Sequence, residues 1–133
     1  MVVTRLDRQQ VSPADDSGIS VVSTRMEEQF TGGLVGHGVA EHVRVTRPDG
    51  SDTFTGVERF TGSLDGRSGS FVLTADGHTA GGVVHGRWQV VPGSATGELA
   101  GLRGDGVFTA VSTPDAEGHV AEATDSFTYW FDT

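Results

Sequence analysis

Three glutamates are the residues of this chain whose type and spacing could do chemistry. Glu58 lies in a segment that alternates cleanly: at the two-residue period of a strand, Phe54, Gly56, Glu58, Phe60, Gly62 and Leu64 share one face. Thr53, Thr55, Arg59, Thr61 and Ser63 share the other with Val57. Glu98 falls with Thr96, Ala100 and Leu102, opposite Gly97, Leu99, Gly101 and Arg103, a less apolar setting. Glu28 shares parity with Met26 and Phe30 in a segment that Glu27 and Gln29 make polar. A carboxylate turned into apolar surroundings is expensive to ionise. It must be paired, hydrogen-bonded, or raised in pKa into the range useful for proton transfer. The competing reading is an internal glutamate that an arginine or buried water holds, and that only ties strands together.

The same parity argument supplies surroundings for such a site. Asp125, Phe127, Tyr129 and Phe131 share a face, opposite Thr124, Ser126, Thr128, Trp130 and Asp132. Phe71, Leu73 and Ala75 form another apolar face, as do Trp88, Val84 and Val90, with Arg87 pointing away. The expected site therefore uses Glu58 and Glu98 as acid and base and Tyr129, the single tyrosine, as hydrogen-bond donor. Phe54, Phe60, Phe71, Trp88, Leu102 and Phe127 wall it. Of the five histidines, only His37 and His42 are close, at a spacing that sends them to opposite faces of a strand, so no metal ligand set is expected. His78, His85 and His119 receive no role. The chain has no Cys, Lys or Asn, which excludes thiolate nucleophiles, thiolate metal sites, Schiff bases and the P-loop lysine, and no cofactor is expected.

The elements that must position these groups read as strands. Asp-Gly pairs at 49–50, 65–66, 76–77 and 105–106, with Gly32-Gly33, Pro92-Gly93 and Pro114-Asp115, mark turns. No apolar 3.6-residue period with helix caps is present. Strands are expected at 18–31, 34–46, 52–64, 67–75, 80–91, 94–104, 106–113 and 119–132. Closing such an eight-stranded antiparallel meander into a β-barrel would remove both templating edges, so a closed all-β barrel over residues 18–133 is the expected architecture. Residues 1–17, polar and containing Pro13, read as a loose tail. Nine basic against eighteen acidic residues, a net charge of −9, argue against nucleic acid and anionic membranes as partners. The absence of a signal-like or membrane-spanning apolar run makes the cytoplasm the default expectation.

The runs GVERFTGSLDGRSGSFVL (residues 56–73) and VPGSATGELAGLRG (residues 91–104) resemble a bacterial family of small proteins of unknown function with an allene oxide cyclase-like β-barrel. The similarity spans about residues 26–131; Ala95 stands where the family usually has the first glycine of Ser-Gly-Thr-Gly-Glu-Leu. The resemblance implies an eight-stranded barrel with an internal cavity. The wider barrel group, which includes cyclases of secondary metabolism, holds a reactive intermediate and steers its ring closure. The leading functional expectation is a cofactor-independent isomerase, cyclase or lyase acting on a small, mostly apolar metabolite inside the barrel. The alternatives are a non-catalytic binding barrel and an epoxide-type hydrolase with a Glu-positioned water. A homodimer through Trp130, Val57 and Leu99 is also expected.

Overall fold

The structure, a computed structural model, describes residues 2–111 and 122–132. The Pro114-Asp115 turn signal, His119, positions 112–113 and 119–121 of the last two expected strands, and the side chain of Asp125 lie outside the described residues. The chain forms one antiparallel sheet in simple meander order: β1 (Val2–Ser12), β2 (Ser20–Phe30), β3 (Leu34–Thr46), β4 (Asp52–Leu64), β5 (Arg67–Ala80), β6 (Val83–Val90), β7 (Leu102–Val111) and β8 (Glu122–Phe131). A short 3-10 turn, Gly97–Leu99, separates β6 from β7. No helix among the described residues is long and apolar enough to cross a membrane.

Three expectations are corrected. The sheet is not closed into a barrel: each strand pairs with its sequence neighbours, and β1 and β8 approach one another without a ladder between them. The allene oxide cyclase-like barrel is therefore not the architecture observed. The edges are managed differently, because β1 carries two register irregularities, between Val3 and Arg5 and between Gln10 and Ser12, and exposes Arg5, Asp7, Arg8, Gln9 and Gln10. Bulges and charges blunt an edge without closure. Second, most of the expected tail is β1, which pairs with β2 along its length and buries Val3. Third, residues 94–104 are not a strand. The segment around Ser94 to Glu98 runs beside the first half of β5, where Val91 N donates to Val72 O and Thr96 N to Ser70 O, both at 2.9 Å. It then turns over Leu99, fully buried at 0 % exposure, and only Leu102 begins a true strand. An extended chain satisfying a strand edge carries the alternation of a strand without its ladder.

The glycine punctuation divides in two. Asp65-Gly66 is a hairpin tip with φ of 48° and 86°, the left-handed pair that a two-residue turn matching strand twist requires. Asp76-Gly77 and Asp105-Gly106 sit inside β5 and β7 instead. There a Cβ at Gly77 would collide first with the backbone carbonyl of His85 and then stand 2.8 Å from Phe54 Cζ, and one at Gly106 would collide with the Ser126 carbonyl and the Trp88 ring. These glycines let both the neighbouring strand's backbone and an aromatic ring approach closely.

Strand alternation sends one face of the sheet inward. Its core contains Phe30, Phe60, Leu64, Phe71, Leu73, Trp88, Val90, Leu99 and Leu102. A smaller cluster of Val3, Met26 and Ala40, with Leu6 against it, lies under β1. Burying each large apolar side chain stabilises the fold by about 1.5–3 kcal/mol. Because Leu99 belongs to this core, it cannot share a contact face with Trp130 and Val57, which are exposed.

Candidate functional site

The inward face divides by chemistry. Its β4 to β8 portion is aromatic, whereas its β2 to β4 portion carries Thr24, Glu28, His42 and Glu58, all buried. Register explains how two acids meet there. Glu28 on β2 is opposite Gly38 on β3, which is opposite Phe60 on β4; Met26, Ala40 and Glu58 form the next row. Glu28 and Glu58 are thus diagonal neighbours across β3, and the missing side chain at Gly38 leaves the space between them. A Cβ there would collide with Glu58 Oε2 and stand 3.2 Å from Phe30 Cε2.

Both acids are only 6 % exposed. Burial pushes the Glu58 carboxyl well above the usual range, and its hydrogen bond to Glu28 and the charge of Glu28 push in the same direction. Glu58 Oε2 has no hydrogen-bond partner. Two buried acids in contact cannot both ionise cheaply, and Glu58 is the one held toward its neutral form. Such a pair can accept a proton at one oxygen and donate a hydrogen bond from another. A hollow of about 570 Å³ lies among the exposed side chains of Glu27, Gln29, Val35 and His37, on the face of β2 and β3 turned away from Glu58, which does not line it.

The expected partner of Glu58 was Glu98, and the structure separates them. Glu98 is exposed on the 3-10 turn, where its Oε1 accepts from Ser68 N at 3.2 Å. Glu28, the least apolar of the three candidates by sequence, takes its place. Tyr129 shares a face with Phe127 and Phe131 as expected, but its hydroxyl donates to Asp65 at the β4–β5 turn. That bond to an anionic acceptor, more than burial, raises the phenol pKa. No arginine locks Glu58: Arg87 pairs with Asp76 at 2.9 Å, Arg103 with Asp132 at 3.0 Å, and Arg59 is exposed on the opposite face.

Five of the six expected wall residues come together: Phe60, Phe71, Trp88 and Leu102 lie in one buried cluster, and Phe127 packs against it. Phe60 packs on Phe30 at 5.4 Å and on Phe71 at 5.0 Å; Phe127 stacks on Phe71 at 6.4 Å and meets Trp88 edge-on at 6.1 Å. Phe60, Phe71 and Leu102 are so fully buried that they fill the interior themselves, and of this group Phe127 alone is half-buried. Phe54 belongs to a different neighbourhood. His42 stacks on it at 5.0 Å, and the Arg44 guanidinium lies 4.7 Å from its ring centre.

Sequence reasoning missed this second polar group. Arg44 bonds Asp52 at 3.3 Å and Thr24 Oγ1 at 3.3 Å, while His42 Nδ1 has no partner. Burial first, and the Arg44 charge second, lower the His42 pKa to about 4, so the ring is neutral near pH 7. The signal was available, since His42 and Arg44 share parity with Ala40. The spacing from His37, which separates the two histidines onto opposite faces, does not carry it.

The comparisons with known proteins agree with the resemblance on a bacterial family of unknown function, and not on an allene oxide cyclase-like barrel. Residues 2–120 match the model of a family described as protein of unknown function (DUF3224). A crystal structure of a protein of unknown function from that family, from Shewanella oneidensis MR-1, is similar at a TM-score of 0.69 and 25% identity, covering 99% of this chain and 97% of that chain. A comparison with curated proteins returned no match.

Proposed function

The chain belongs to the DUF3224 family of proteins of unknown function, and within it we propose that this protein is a cofactor-independent acid–base catalyst of the isomerase, cyclase or lyase type, acting on a small, largely apolar molecule. The observation that carries this reading is the buried Glu28–Glu58 pair, with Glu58 held toward its protonated form beside Phe30 and Phe60. On this reading the substrate meets the acid pair from the inward face of the sheet, to which Glu28 and Glu58 both point. The ionised acid removes a proton from an activated carbon, and the neutral acid hydrogen-bonds the oxygen on which charge develops. Two carboxyls whose environments separate their protonation states divide the roles of base and donor between them. A ring closure or bond shift then needs only a proton returned to a different atom.

Deuterium wash-in tests this directly. The protein is incubated in D2O with small apolar ketones and enones, and label incorporation at the activated carbon is read by mass spectrometry. Wild-type protein is expected to catalyse exchange, Glu58→Gln to lose about 10²–10⁴ of the rate, and the exposed Glu41→Gln to keep it. No exchange by the wild-type protein, or equal exchange by Glu58→Gln, overturns the reading. A second reading, non-catalytic binding of a small molecule, is favoured by the engagement of Tyr129 with Asp65, which takes the expected hydrogen-bond donor away from the acid pair. Saturable quenching of tryptophan fluorescence by a panel member, without exchange, would support it.

A further inference from the structure

On the opposite, outward face of the sheet, His78 of β5 and His85 of β6 stand directly across from one another. Both are exposed, and their ring centres are 5.4 Å apart with planes 29° from parallel. The hairpin fixes their backbones: Thr79 with Val84 and Ala80 with Val83 complete the ladder to the Gly81-Gly82 turn. The same cross-sheet row continues through Thr53 of β4 and Thr109 of β7, and the next row carries the exposed Asp76–Arg87 ion pair. The acids of the Glu28–Glu58 pair face the other way.

We propose that His78 and His85 form a surface site for a first-row divalent cation of borderline softness, with Zn²⁺ as the best fit to its geometry. Zinc–nitrogen bonds of about 2.0–2.1 Å place an imidazole centre ~3.2 Å from the metal, so two rings at a tetrahedral angle have centres ~5.2 Å apart. The observed 5.4 Å separation therefore meets the requirement with almost no backbone movement. Imidazole χ2 wells are broad, so exposed rings can turn a nitrogen of each toward a shared metal. Copper would bind the same ligands more tightly, by the usual order of divalent affinities.

No group of three or more His, Asp or Glu among the described residues forms a ready cage. The histidine pair supplies two ligands and water supplies the rest. A hollow of about 510 Å³, lined by both histidines, Thr53, Asp76, Arg87 and neighbouring residues, has room for that water. A chain with a net charge of −9 also concentrates cations at its surface.

The test is calorimetric titration of the tag-free chain with Zn²⁺ alone, accompanied by NMR spectra of the histidine ring nitrogens. One equivalent per chain is expected, with ring-nitrogen shifts confined to His78 and His85. His78→Gln and His85→Gln should each weaken binding about tenfold or more, while His37→Gln, exposed on β3, should leave it unchanged. All three variants lie at exposed strand positions, and circular dichroism confirms that each is folded. Binding insensitive to His78→Gln and His85→Gln, or an absence of zinc-induced shifts at their ring nitrogens, overturns the site and leaves a stacked cross-strand pair.

Discussion

At the residue scale, Glu58 and His42 make opposite demands on pH. The Glu58 carboxyl is raised by burial and by Glu28. The folded state therefore holds a proton that the unfolded chain releases near the ordinary carboxyl range. Stability from the neutral acid is complete below that range and is lost as pH rises toward the folded pKa. Glu58→Gln, uncharged at every pH, should match the wild-type protein in denaturant melts near pH 4 and become progressively the more stable of the two as pH rises. A gap that is constant with pH would refute a raised carboxyl. His42 runs the other way, because a ring lowered from 6.5 to about 4 resists protonation that the unfolded chain accepts. Its contribution is present above pH 6.5 and lost as pH falls to about 4, an effect of about 3 kcal/mol at 1.36 kcal/mol per unit. In His42→Leu that acid-side loss should disappear from the same melts. The inward position of Glu58 was legible from clean alternation. Its pairing with Glu28 was not, because a diagonal contact across β3 depends on the β2–β3 and β3–β4 registers together.

At the scale of the element, β3 makes the acid pair possible. Gly38 sits where any side chain would meet Glu58 Oε2, with Phe30 behind it at 3.2 Å. Overpacking of this kind costs about 1–3 kcal/mol. Gly38→Ala should fall in that range by denaturant melts, and most of the loss should vanish when it is combined with Glu58→Ala, which removes the obstructing carboxyl. If the two losses simply add, the glycine serves the backbone rather than the acids. Strand positions from β2 to β5 were legible because their alternation is locally encoded. The boundaries failed where one local signal serves two purposes. An Asp-Gly pair turns the chain at Asp65, yet at Asp76-Gly77 and Asp105-Gly106 the glycine sits inside a strand and admits the close approach of neighbouring backbone and an aromatic ring. Similarly, the stretch near Thr96 alternates like a strand while it lines the edge of β5 through Ser70, with Ser70 N donating to Thr96 Oγ1 at 3.1 Å.

At the scale of the whole molecule, the difference between a barrel and an open meander lies in one missing ladder, and nothing local to β1 or β8 encodes it. Eight strands in order are compatible with either, and the deciding quantities are accumulated twist and the treatment of the edges. β1 reads as a tail because it is polar, and that polarity is what an edge strand needs. Arg5 and Asp7, exposed and paired with each other at 3.0 Å, sit on a strand whose bulge after Val3 interrupts regular pairing. Exposed charges on an edge raise the cost of adding another strand, since they would be partly desolvated on pairing. Arg5→Val with Asp7→Val should therefore convert β1 into a templating edge. By light scattering after size exclusion at matched concentration, the double variant is expected to run as larger species than the wild-type chain. The shift should persist at high salt, because it comes from exposed apolar edge rather than from altered net charge: the two substitutions together remove one positive and one negative group. An unchanged mass would assign edge protection to the bulges alone, and deletion of Thr4, the extra residue between Val3 and Arg5, would then be the perturbation that restores regular pairing and opens β1 to a partner strand.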